Sequence, residues 1–211
     1  MTLGEIRSRI RDLLQEDAAG AWDDADLNAW INDAVAEAAA ATLCVETVAY
    51  RTTDAGVGEY DLPANVVDLP ADPKIRLVTF DGRRLPRRPL DEEIDSRGPS
   101  WGEQTGAPAC YYLWAGRIGL LPVPDEADVL RIWYAKLPAS MSSDEAECVL
   151  PAWSHPGVVD YGAWRAFSKV GDDRAADHRG RFEAMLDRLR AATDAAGMGS
   201  LQAGGDSTGW A

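Results

Sequence analysis

The stretch "AEAAAATLCVETVAYRT", residues 36–52, changes its period halfway. Its first half is alanine-rich and continues a helical spacing, whereas from about Thr47 β-branched and aromatic residues alternate as in a strand. The chain therefore passes from helix to sheet at one point, and the reading of both flanks follows from it. Upstream, "AWDDADLNAWINDAVAEAAAATL" predicts a long helix with Asp23 or Asp24 as N-cap and Asp26 in the first turn, where the helix dipole favours negative charge. Leu27, Trp30, Ile31, Ala34, Val35 and Ala38 fall on its buried face. Before it, Leu3, Ile6, Ile10, Leu13 and Leu14 give residues 2–16 an amphipathic stripe and predict a first helix.

Downstream, short runs of strand formers are punctuated by Gly and Pro. "ETVAYRT" and "GEYDLP" lead to "IRLVTFDGRRL", where Asp81-Gly82 is a type I′ hairpin signal. "ACYYLWAGRIGLLP" predicts a second hairpin turning at Ala115-Gly116. In "DVLRIWYAKLP", Leu130, Ile132 and Tyr134 alternate with Val129, Arg131 and Trp133, one set for each face. Residues 89–108 are Gly/Pro-rich and read as a projecting loop.

After Pro138 a polar acidic linker, "ASMSSDEAE", returns the chain to helix-forming sequence. Residues 155–170 predict a third helix with Pro156 at a tolerated first-turn position, and a fourth runs from about Asp173 to Ala195, with Phe182, Met185, Leu186 and Leu189 buried and Gly197 as its stop. The last fifteen residues, "GMGSLQAGGDSTGWA", follow neither period. The expected fold is α+β: an antiparallel bundle of four helices, an inserted small antiparallel β domain growing from one end, and an extended C-terminal tail. Its expected divisions are 1–46, 47–138, 139–196 and 197–211.

Composition excludes several classes of function. With 46 % hydrophobic and 27 % charged residues in 211, the chain is of ordinary globular type. It has no apolar run long enough for a transmembrane helix and no signal-peptide pattern at its start, so no membrane partner and an intracellular site of assembly are expected. Cys44, Cys110 and Cys148 are far apart and lack CxxC spacing, which suggests neither a disulfide framework nor a zinc site. Two histidines, no HExxH and no GxSxG leave no familiar metal or nucleophile constellation, and no cofactor is expected.

Net charge is −14, and residues 151–211 are nearly balanced, so the acidic excess lies earlier. A generally basic surface that wraps nucleic acid is excluded. One local basic cluster, "RRLPRR", carries Arg83, Arg84, Arg87 and Arg88. It could touch a phosphate, pair with Asp81, Asp91, Glu92 or Glu93, or form part of a protein interface. Paired carboxylates are the only catalytic material in view, for instance Asp23/Asp24/Asp26 or Asp91/Glu92/Glu93, and both runs sit where a cap or a solvated loop is expected. Of eight tryptophans, Trp22, Trp30, Trp133, Trp153 and Trp164 are assigned to packing. Trp101 and Trp210 lie in Gly-rich irregular segments, where an aromatic side chain is free to anchor in another molecule.

The order of these pieces resembles the head-to-tail adaptor (connector) proteins of tailed bacteriophages and gene-transfer particles. The resemblance is carried by "WDDADLNAWINDA", "YDLP" at 60–63, "DGRRL" at 81–85, "GAPACYYL" at 106–113, "IGLLPVPD" at 118–125 and "WYAKLP" at 133–138, together with the C-terminal helices and tail. It implies a structural virion protein rather than an enzyme. Such a protein forms a ring of about twelve copies beneath the portal protein, joins a downstream tail or neck protein, and lets genome DNA pass without sequence-specific binding. It also implies that the tail docks on the portal, here through Met198, Leu201, Gln202, Trp210 and Ala211, and leaves Arg83, Arg84, Arg87, Arg88 and Trp101 as candidates for contacts between subunits or with the tail. The competing readings are another neck or tail component, such as a tail-tube or tail-completion protein, and a carboxylate-based hydrolase or carbohydrate-binding module.

Overall fold

The computed structural model describes residues 1–16, 20–69, 72–98, 100–195 and 208–209. They divide into two compact units, Met1–Glu46 with residues 136–195, and Thr47–Ala135 with the strand Thr208–Gly209. Among the described residues there are five α-helices and ten short strands.

The first unit contains α1 (Leu3–Leu14), α2 (Asp24–Thr42), α4 (His155–Val170) and α5 (Arg174–Ala195). Three of them begin or end on a local chemical signal. Thr2 and Glu5 form a reciprocal capping box on α1. Asp23 caps α2 by accepting a hydrogen bond from the Asp26 amide at 2.8 Å. Gly171, at φ +70°, closes α4 in the left-handed conformation that glycine adopts without strain. The predicted stripes are buried: Leu3, Ile6 and Ile10 on α1, the whole named face of α2, and Phe182, Met185, Leu186 and Leu189 on α5. Leu13 departs from its predicted stripe and is 39 % exposed, because at 3.6 residues per turn it falls beyond the edge set by Ile6 and Ile10. α1 packs closely on α4 at Gly162, where a Cβ would collide with Ile10.

Residues 139–147, expected as a polar linker, are held along this unit together with their flanks by hydrogen bonding. Leu3 N–H donates to Ala146 O, Gly4 N–H to Asp144 O and Lys136 N–H to Val45 O. Asn32 supplies the equivalent from a side chain, donating to Met141 O at 3.1 Å and accepting from Met141 N–H at 2.8 Å.

The second unit is built from β1 (Glu46–Thr52), β2 (Glu59–Asp61), β3 (Asp68–Leu69), β4 (Asp72–Pro73), β5 (Ile75–Phe80), β6 (Arg83–Leu85), β7 (Cys110–Trp114), β8 (Arg117–Leu121), β9 (Val129–Ala135) and β10 (Thr208–Gly209). They form a five-stranded sheet in the order β10-β1-β9-β5-β6, a three-stranded sheet β2-β8-β7 and a ribbon β3-β4. Both predicted hairpin turns have positive φ at both central residues, +49° and +71° at Asp81-Gly82 and +48° and +77° at Ala115-Gly116. Leu130, Ile132 and Tyr134 of β9 are fully buried, while Arg131 on the other face is exposed. Residues 86–88 run beside Tyr111 and join the two sheets, with Arg88 N–H donating to Tyr111 O and Tyr111 N–H to Pro86 O.

One expectation is corrected. The segment read as a projecting loop contains a fifth helix, α3 (Leu90–Arg97), whose Leu90 packs beside Cys110, Tyr112 and Leu121. Within the β region the pairs β2-β8, β3-β4, β5-β6, β5-β9 and β7-β8 are antiparallel as expected, and β10, from the C-terminal segment, adds to β1 in parallel, Ala49 opposite Thr208 and Tyr50 opposite Gly209.

Candidate functional site

The acidic runs considered for catalysis are committed to structure. Asp23 is a cap, and Asp24 accepts from Arg11 at 2.6 Å, the contact that holds its carboxyl below the usual range. Asp26 lies 3.9 Å from the Lys169 ammonium. Asp91, Glu92 and Glu93 occupy the first turn of α3, where the helix dipole favours acids. Among the described residues no group of three His, Cys, Asp or Glu side chains could hold a metal ion, and no helix is long and apolar enough to cross a membrane. All three cysteines are buried and none is in a disulfide, and burial raises the thiols of Cys44 and Cys148 above their ordinary range.

What remains for function is surface. On the second unit, Arg83, Arg84, Arg87 and Arg88 are all exposed. Arg83 donates to Pro108 O at 2.7 Å, and Arg87 pairs with Asp72 at 2.7 Å, not with the nearer acids in sequence. The guanidinium of Arg87, with the Lys74 ammonium second, keeps the Asp72 carboxyl below its usual range. No ion pair ties Arg84 or Arg88 to a described residue. Arg83 and Arg84 also lie along β6, an outer strand of the five-stranded sheet, where charge deters pairing with a foreign strand.

Trp101 rests edge-on against Tyr112 with ring centres 6.0 Å apart, so it has a packing partner in its own unit that the sequence did not reveal. Tyr112 in turn crosses the glycine of the central strand: its ring covers Gly119, its register partner, and its hydroxyl donates to Glu59 on β2 at 2.7 Å. Burial, then Glu59, pushes the Tyr112 phenol upward. The "YDLP" motif acts similarly, since Tyr60 Oη accepts from Asp54 N–H at 3.0 Å and donates to Val57 O at 2.9 Å, fixing the turn before β2.

The sequence reading passed over Trp114. It ends β7 beside the Ala115-Gly116 turn, is 66 % exposed, and lines an open hollow with Asp68, Pro73 and Leu113. A signal for it was present, because a tryptophan flanking a two-residue turn has few neighbours to pack on. On the first unit, Trp153, assigned to packing, is 42 % exposed beneath Arg188, which lies 5.2 Å from its ring. Met198, Leu201, Gln202, Trp210 and Ala211, the predicted docking residues of the tail, lie outside the described residues.

The chain is thus a helical unit interrupted by a β unit, with Asp23 used as a cap and Trp114 and Trp153 exposed at the surface. Residues 1–204 match the SU10 adaptor protein family, and the chain belongs to that family of phage head-tail adaptors. Membership gives it a structural role as a component of the virion. No curated protein matches the chain.

Proposed function

We propose that this adaptor forms a closed ring beneath the portal, joins the capsid to the downstream tail or neck protein, and leaves a channel for genome DNA. The observation that carries this reading is the family match over residues 1–204, which spans both units. A heterologous contact repeated around a rotation axis closes such a ring, and about twelve copies in register with a portal would give it many simultaneous attachments. The tail attaches it, through Met198, Leu201, Gln202, Trp210 and Ala211. Weak individual tails gain avidity from the ring, and each pays its ordering entropy only on docking.

Arg83, Arg84, Arg87, Arg88 and Trp101 belong to a contact with a neighbouring copy or with the tail in this reading. Arg84 and Arg88, exposed and without an ion pair to described residues, are the members with most charge to offer a partner. The net charge of −14 per copy then suits a conduit, since acidic faces toward the channel repel DNA phosphates and prevent retention. A lumen lined by Arg83 to Arg88 would contradict that part of the reading.

Native mass spectrometry of the purified chain with and without portal rings tests the function. The chain is expected to add to the portal as a ring of defined number. Growth into open-ended tubes without portal would instead identify a tail-tube protein.

A further inference from the structure

The two sides of the five-stranded sheet, β6 at one and β1 under β10 at the other, are protected differently. β6 is three residues long, presents the exposed Arg83 and Arg84, and is followed at once by Pro86, all features that discourage a foreign strand. β1 is seven residues long, contains no proline, and is uncharged from Thr47 to Tyr50, with Glu46 and Arg51 only toward its ends. Its outer edge is covered by β10 instead, in parallel register at Ala49 with Thr208 and Tyr50 with Gly209. Among the described residues the pairing lies at the centre of the strand, at Ala49 and Tyr50.

Thr208 and Gly209 directly precede Trp210 and Ala211, which are assigned to portal docking above. A backbone paired to β1 at 208–209 is not free to fold onto a second protein. We propose that the outer edge of β1 is a strand-addition site that stores the C-terminal segment of the free subunit, and that the portal competes with it for that segment. The inference rests on the portal-docking reading of the tail. It gives the free chain a reason to remain unassembled: each tail must leave its own sheet before it can attach, and the portal that takes the tail also uncovers the β1 edge.

The test is a full-length chain carrying Tyr50→Cys and Gly209→Cys, positions opposite each other in the register. Oxidised glutathione accepts two electrons and two protons from the pair as the disulfide forms, and the three native cysteines are buried. A link within one chain is expected, seen as a mass loss of two hydrogens on a monomer. The oxidised chain should bind purified portal rings on the order of tenfold or more weakly than the same chain reduced with dithiothreitol, because only one state can release the tail. A link between two chains, no link, or equal portal binding in both redox states would overturn the proposal. A chain ending at residue 195 separates the two ideas. If it binds portal rings as well as the full chain does, the docking reading fails and the competition fails with it, whatever the crosslink shows.

Discussion

At the scale of single residues, the second unit depends on Tyr112 lying over Gly119. A Cβ at Gly119 would enter the phenol ring, and the ring is held from its far end by Glu59. Gly119→Ala should therefore cost about 3 kcal/mol in urea unfolding, and pairing it with Tyr112→Ala should recover part of that loss. Additive losses in the double variant would refute the clash. His155 provides a pH-dependent term in the first unit. Burial, opposed by its hydrogen bond to Leu150 O at 2.8 Å, lowers its pKa from 6.5. The unfolded chain then binds the proton more readily, so stability is full above about pH 6.5 and falls as pH drops below it toward the lowered folded value. Asp24 and Asp72, held below 3.8 chiefly by Arg11 and Arg87, add a second loss at more acid pH. Melting temperature measured from pH 8 to 5 should decline in the wild type and decline less in His155→Gln; identical slopes would remove His155 as the cause.

At the scale of elements, legibility followed locality. α2 was readable because Asp23, Asp26 and the apolar positions up to Ala38 lie within one helix, and Asp23→Ala should cost about 1 kcal/mol through the lost cap. The two hairpins were readable because the turn residues set their own φ. α3 was not, since its eight residues offer only Leu90 and Ile94 as apolar spacing, and the contact that holds it comes from Cys110, Tyr112 and Leu121 beyond the next loop. Strand order was equally hidden: β1 lies beside β9 and β10, pairings between distant segments that no local period encodes. The partner of Arg87 is Asp72, fifteen residues upstream, and the nearer acids are turned to the start of α3. For β6, replacing Arg83 and Arg84 by Thr removes the charge from an outer strand and should raise light scattering of the isolated chain. If scattering is unchanged and ring formation on the portal is lost, the arginines serve the interface alone.

At the scale of the whole molecule, the family match covers both units, whereas the features that would make contacts are spread among residues far apart in the chain: Trp114 and the arginine cluster on one unit, Trp153 with Arg188 on the other. The sequence revealed the family through the order of its turns and strand ends. It could not reveal which aromatics stay at the surface, because exposure depends on neighbours brought together by folding, as Trp101 and Trp153 show from opposite directions. The most direct test of the central claim is a cryo-electron-microscopy reconstruction of the particle's neck. A closed ring of this chain between portal and tail, with its acidic faces toward the DNA channel, is the predicted result. A stacked tube of the chain, or its absence from the layer below the portal, would contradict it.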